Sequence, residues 1–196
     1  KMTAWLLFLA VCAVIPARAA DEPHPFSVHD MLAMERISEP AVSPDGHWIV
    51  FTLRTTDLEA NRGRSDLWCT DCEGKTLRRL TSHPAADFNP RWSPDGKTIY
   101  FLSTRSGSSQ IWRIRRDGGE AELLSGLPLD VGNLVVSPDG RNLAFSMEVF
   151  PGLCPAGTKK KLDEVAAAKA SGRIYNRLFI RHWDSWKDGR RSHVFV

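Results

Sequence analysis

The chain has 196 residues, of which 42% are hydrophobic and 25% charged, with a formal net charge of +3. That balance is ordinary for a globular protein. So small a charge leaves no basic footprint for nucleic acid.

The N-terminus reads as a leader. Ala4 to Ile15 is an apolar run containing Trp5, Leu6, Leu7, Phe8 and Leu9, too short for the roughly 20 residues a membrane-spanning helix needs. Pro16-Ala17-Arg18-Ala19 places small residues where a signal peptidase reads. Residues 1–19 are therefore expected to be a signal peptide cleaved after Ala19. The nearly neutral mature chain would be exported, to a periplasm or to the outside, with no membrane span. A lipidated Cys12 is disfavoured by the bulk of Val11.

Residues 20–40 are predicted to be a linker and a short helix. Ser27 can cap, Asp30 stands where a capping-box acid would, Phe26 can staple onto Met31, and Val28, Met31 and Leu32 form an apolar stripe. Pro40 bounds this segment.

From there the chain repeats itself. Ser43-Pro44-Asp45-Gly46, Ser93-Pro94-Asp95-Gly96 and Ser137-Pro138-Asp139-Gly140 each precede an alternating apolar run ending in Phe51, Phe101 or Phe145. Pro presets φ, Asp can bond the backbone ahead of it, and Gly accepts positive φ, so the tetrapeptide is a turn between strands. Ser65-Asp66-Leu67-Trp68 matches Ser109-Gln110-Ile111-Trp112, Gly74 matches Gly118, and Leu80-Thr81 matches Leu124-Ser125. Four short antiparallel strands in about 40 to 50 residues describe a propeller blade. The expected blades cover about 41–81, 90–125 and 134–196. Trp48, Phe51, Trp68, Trp92, Phe101, Trp112, Phe145 and Phe195 are their expected aromatic core.

Blade three carries an insertion at about 147–191. Pro151-Gly152-Leu153-Cys154-Pro155 reads as loop, and Leu162 to Ala170 as helix stopping at Gly172. Tyr175 to Trp186 reads as strand and Lys187 to Arg190 as turn. Ser192-His193-Val194-Phe195 returns to the third strand of the repeat. Lys159-Lys160-Lys161 is expected to be a solvated helix face. The fold class is thus all-β: an incomplete β-propeller with a short N-terminal helix and a helical insertion, expected to be the front piece of a longer protein.

Motifs for chemistry are sparse. Cys69-Thr70-Asp71-Cys72 has the spacing of half a zinc site without its second half, so a local disulfide across the turn or two unpaired thiols is expected. Cys154 lies in a loop. Gly63-Arg64-Ser65-Asp66-Leu67 lacks the last glycine of a nucleophile elbow. His24, His29, His47, His83, His182 and His193 have no such elbow to serve, and Asp184 and Ser185 beside His182 alternate faces along a strand.

The Ser-Pro-Asp-Gly repeats resemble those of TolB-like propellers and of the prolyl oligopeptidase family. Ser27-Val28-His29-Asp30-Met31-Leu32 through Ile37-Ser38-Glu39-Pro40 to Gly46, and Arg181-His182-Trp183-Asp184-Ser185-Trp186 through His193, resemble exported bacterial peptidases of that family, of the dipeptidyl-peptidase five-like and acylaminoacyl-peptidase-like kind. The resemblance implies a C-terminal α/β-hydrolase domain with a Ser-Asp-His triad, short peptides as substrates and a propeller that limits their entry; no cofactor and, with only half a zinc site present, no metal is expected. It implies no catalytic residue in this chain. Glu148 and Asp184 are candidates for holding substrate, by location. The alternative is a TolB-like exported propeller that binds protein partners without chemistry.

Overall fold

The computed structural model describes residues 24–169, 172, 181–183 and 185–196. The expected signal peptide lies outside them.

Helix α1 (Val28–Ala33) carries the predicted capping box: the Asp30 backbone N–H donates to Ser27 Oγ at 3.3 Å, and Ser27 N–H donates to Asp30 Oδ2 at 2.7 Å. The expected staple is not formed as a buried contact, since Phe26 and Met31 are both exposed. The chain enters its first strand at Arg36, ahead of the expected start near Ala41. Pro40 does not end anything. It lies within β1, a sheet edge, where its missing N–H breaks no ladder bond.

Blade one is a sheet in the order β1 (Arg36–Val42), β2 (Trp48–Asp57), β3 (Arg62–Asp71), β4 (Leu77–Arg79). Blade two repeats it with β5 (Asp87–Trp92), β6 (Thr98–Ser103), β7 (Gln110–Arg115) and β8 (Glu122–Leu123). Neighbouring strands within each blade are antiparallel. Blade three has β9 (Gly132–Val136) and β10 (Leu143–Val149), then α2 (Pro155–Ala167) and a hairpin of β11 (Arg181–His182) and β12 (Ser185–Trp186). Strand β13 (Arg191–Phe195) returns beside β10. The register preserves the repeat: Phe51 faces Trp68, Phe101 faces Trp112, and Phe145 faces Phe195. The frame therefore resumes after the insertion as the sequence predicts. Across blades one to three the described strands form an incomplete propeller.

The three turns are built alike. In each, the Ser hydroxyl donates to the Asp carboxylate (2.5, 2.5 and 2.6 Å). The same hydroxyl oxygen accepts the N–H of Trp48, Thr98 or Asn142 at 2.9 Å. The carboxylate also accepts the N–H of His47, Lys97 or Arg141. Gly46, Gly96 and Gly140 take φ of +74°, +66° and +69°, which a Cβ would oppose.

The core lies between blades. Val50, Leu67, Cys69 and Leu80 of blade one meet Trp92, Ile99, Phe101 and Ile114 of blade two. Leu102 and Ile111 of blade two meet Leu134, Met147 and Val149 of blade three, with Leu129 and Val131 from the connection. Of the expected aromatic core, Phe51, Trp92 and Phe101 are buried, while Trp48, Trp68, Trp112, Phe145 and Phe195 are half-buried. Trp112 packs at the edge of the joint between blades one and two, whereas Trp68, between the inward-facing Leu67 and Cys69, lies on the opposite face of β3 beside Phe51.

Helix α2 begins earlier than Leu162. Pro155 occupies the first turn, where its missing N–H is harmless, and Cys154 Sγ accepts the N–H of Gly157 at 3.4 Å as the cap. Thr158, wholly buried, accepts the N–H of Phe150 at 3.2 Å and ties the helix to the blade. The lysine triplet is exposed, as expected, with Lys159 paired to Asp163 and Lys161 over the Phe150 ring.

Candidate functional site

One candidate surface grows out of the ends of a blade's second and third strands. In blade three that end carries the insertion. Glu148 lies at its root on β10, opposite Ser192 in register. Met147 and Val149 on either side point into the core, so alternation turns Glu148 outward, and it is exposed. Its carboxylate stands 3.7 Å from Arg190 Nη2. Arg190 is also claimed by Asp188, whose carboxylate accepts from Arg190 Nε at 2.6 Å and from its backbone N–H at 3.0 Å. Partial burial pushes the Asp188 carboxyl up, but those two bonds, together with the charge of Arg190, outweigh it and hold the group below the usual carboxylate range. Glu148 thus sits at a charged root of the insertion, sharing a cation. Asp184, the second substrate-holding candidate, lies outside the described residues.

A second polar cluster sits between blades one and two, and sequence reasoning did not single it out. Asp87, at the head of β5, is wholly buried. Its Oδ2 accepts from Arg105 Nη2 at 2.5 Å, and its Oδ1 has no hydrogen-bond partner among the described residues. Arg105 is fixed further by donating Nε–H to Ser103 Oγ at 3.0 Å and by lying over the Trp112 ring at 4.8 Å. Nearby Asp66 accepts from Arg79 Nη2 at 2.6 Å. Burial pushes the Asp66 carboxyl up, more than Arg79 pulls it down. Arg105 also lines a groove of about 330 Å³ with Thr81, His83, Ile114 and Glu120. The only signal for Asp87 in the sequence is an acid opening an otherwise ordinary strand, which exposed acids share.

Cys69 and Cys72, for which a bridge across the turn was one of two expectations, are both free thiols. The reason is geometric. Cys69 points into the core between blades, where burial pushes its thiol up. Cys72 sits on the exposed turn, its Sγ 2.9 Å from the Gly46 carbonyl oxygen. Cys154 is exposed and free. Ser65, in the incomplete elbow, lies in the middle of a strand pair opposite Arg54, where no strand-to-helix turn could project its hydroxyl. Among the described residues no three His, Cys, Asp or Glu side chains come together in a group that could hold a metal ion, and no helix is long and apolar enough to cross a membrane.

The fold and its repeated turns define a β-propeller protein. Residues 32–149 match the family model of the TolB beta propeller domain, and the chain belongs to that family. The expected kinship with peptidase propellers is also found. The chain is 26% identical to dipeptidyl-peptidase 5 of Porphyromonas endodontalis over 100% of its own length and 29% of the relative's. It is 29% identical to dipeptidyl-peptidase 5 of Porphyromonas gingivalis over 89% of its length and 25% of the relative's. It therefore spans less than a third of either relative. The structure of the AtxE2 isopeptidase superposes with a TM-score of 0.60 at 19% identity, covering 87% of this chain and 30% of that one. That likeness shows the fold.

Proposed function

We propose that this chain is the propeller front of an exported serine peptidase acting on short peptides or N-terminal dipeptides. In this reading the propeller limits access to a catalytic domain that lies downstream. The observation that carries it is the match to two dipeptidyl-peptidases over 100% and 89% of the chain, with the relatives extending far beyond it. Both resemblance segments named from the sequence, residues 27–46 and 181–193, fall in the part so matched when the match covers the whole chain. The propeller itself brings no nucleophile elbow, so the chemistry is assigned to the downstream domain. Export rests on residues 1–19 with their small-residue cleavage site.

The test has two parts. The sequence that continues past Val196 should encode a Gly-x-Ser-x-Gly elbow followed by Asp and His. The purified full-length product should release chromophore from dipeptidyl substrates and label with a fluorophosphonate, whereas the 196-residue chain should do neither. Further Ser-Pro-Asp-Gly blades followed by a stop would instead make the molecule a TolB-like binding module. Labelling of the 196-residue chain would refute the assignment of the nucleophile. N-terminal sequencing of the exported protein should begin at Ala20.

A further inference from the structure

The blades share one frame, and at one place in it they differ in charge. Seven residues before the turn serine and eleven after it stand Arg36 and Arg54 in blade one, Ala86 and Thr104 in blade two, and Asp130 and Glu148 in blade three. These places lie at the strand ends from which the insertion grows. In blades two and three the groups there are engaged. Thr104 N–H donates to the Ala86 carbonyl oxygen at 3.1 Å, and Ala86 N–H donates to Thr104 Oγ1 at 3.2 Å. Asp130 Oδ1 accepts the Ser109 N–H at 2.8 Å, and Glu148 stands beside Arg190.

Blade one is different. Arg36 and Arg54 lie directly opposite each other in register, and both are exposed. Like charges so placed destabilise a strand pair. Neither arginine has an acid partner among the described residues, and Asp57 on the neighbouring hairpin is taken by Arg64 at 2.9 Å. Arg54 is set in place by a missing side chain. A Cβ on Gly63 would lie 2.8 Å from Arg54 Cζ and nearer still to Nε, so the guanidinium fills the space that glycine leaves. Ser65 faces Arg54 from the third strand. Its hydroxyl makes no hydrogen bond among the described residues, whereas the matching Ser109 hydroxyl donates to the Val131 carbonyl oxygen at 2.7 Å.

Strand alternation puts Arg54 on the same face as Thr52. Thr52 Oγ1 donates to Glu39 at 3.2 Å, Glu39 accepts the N–H of Asn89 at 2.7 Å, and Asn89 Oδ1 accepts the N–H of Leu134 at 2.9 Å. That series runs from blade to blade, so the face carrying the two arginines is turned toward blade two, at the rim of their joint. Two guanidinium groups, one of them pinned, and a spare hydroxyl make a set of donors that lacks an acceptor.

We propose that Arg36, Arg54 and Ser65 form an oxyanion-binding site and that its ligand is the terminal carboxylate of a short peptide. The planar fork of a guanidinium matches a carboxylate with two parallel hydrogen bonds. The rim is also polarised in a fitting order, with cations in blade one, neutral residues in blade two and acids in blade three. A free peptide, with a carboxylate at one end and an ammonium at the other, complements that order. The choice of a peptide rests on the peptidase reading, whereas the oxyanion site rests on the blade-one residues alone.

The full-length product, treated with diisopropyl fluorophosphate so that no peptide is turned over, would be titrated calorimetrically with N-acetyl-tetra-alanine, with its C-terminal amide and with inorganic phosphate. The acid should bind at least about tenfold more tightly than the amide. Arg54→Gln and Arg36→Gln should each remove that preference. Gly63→Ala, which keeps both charges but displaces the Arg54 guanidinium, should reduce it. Arg62→Gln, at an exposed arginine outside the row, controls for net charge. A preference lost as fully in Arg62→Gln as in Arg54→Gln overturns the site. So does equal binding of acid and amide without phosphate binding that depends on Arg54. Equal binding with such phosphate binding overturns the peptide carboxylate as ligand and makes free phosphate the source. Turnover of a dipeptidyl p-nitroanilide, which has no carboxylate, by the untreated protein tests the peptidase reading separately. No turnover beside an intact preference for the acid refutes the enzyme and upholds the site.

Discussion

At the scale of single residues, the turn aspartates carry the most consistent chemistry. Asp45, Asp95 and Asp139 each have a carboxyl held below its ordinary value, first by the turn serine hydroxyl and next by a backbone N–H. The sign follows from linkage. A carboxyl whose folded value lies below its unfolded one adds stability above the unfolded value, about 3.9 for Asp, and loses it as pH falls through the folded value. Asp66 acts in the opposite sense. Burial raises it, so its contribution is greatest in acid and fades as pH rises through its folded value. Acid unfolding followed by tryptophan fluorescence should therefore show stability falling below about pH 4. Asp95→Asn should flatten that fall, because the amide oxygen still accepts but no longer titrates. An unchanged slope counts against the turn carboxylates as its source. The Asp87–Arg105 pair makes a sharper claim. Arg105→Ala leaves a buried carboxylate without its cation and should cost about 3–5 kcal/mol in denaturant titration. Asp87→Asn placed on top of Arg105→Ala should recover part of the loss, and a double variant no better than the single would show that the charge is not the cause.

At the scale of elements, burial decides which aromatic matters. Phe101 is wholly enclosed between blades, so Phe101→Ala should cost about 3–5 kcal/mol. Trp68 is only half-buried, so Trp68→Ala should cost less, and a denaturant midpoint lower for the Trp68 variant would reverse the ranking. The sequence alone grades both as core, because strand alternation says which face a ring takes but not how well the neighbouring strand covers it. Other features were legible for good reason. The Ser-Pro-Asp-Gly turns, the Ser27–Asp30 capping box and the return of the frame at Ser192 are local or repeated, and short-range chemistry fixes them. Strand β1 running through Pro40 was not, because Pro punctuates most strands and is spared here only by lying at an edge. The early start of α2 hid behind Pro151 and Gly152, although Pro155 in a first helical turn was a signal. The Glu39–Asn89–Leu134 series and the Asp87–Arg105 pair join residues 45–50 and 18 positions apart, and no single-chain periodicity brings such residues together.

At the scale of the whole molecule, the insertion is the feature that departs from the repeat. It joins β10 to β13, the same connection that needs only a short hairpin between β2 and β3. Thr158 and Leu162 tie its helix to the core of blade three, so it is seated on the blade. The charged group of Glu148, Arg190 and Asp188 lies at its root. Long loops held by a rigid scaffold are where binding residues concentrate. In the peptidase reading, deleting Pro151 to Gly172 from the full-length enzyme should relax its preference for short peptides, seen as a rise in kcat/KM for longer substrates relative to dipeptidyl ones. Some stability will be lost with it, because Phe150 loses the Thr158 hydroxyl and its cover. Thr158→Ala separates the two effects: it removes that hydrogen bond and should lower the melting temperature without changing length preference. An unaltered kcat/KM profile across peptide lengths in the deletion variant would make the insertion a decoration of the blade. A shifted profile in the Thr158 variant as well would trace the selectivity to blade stability rather than to the inserted surface.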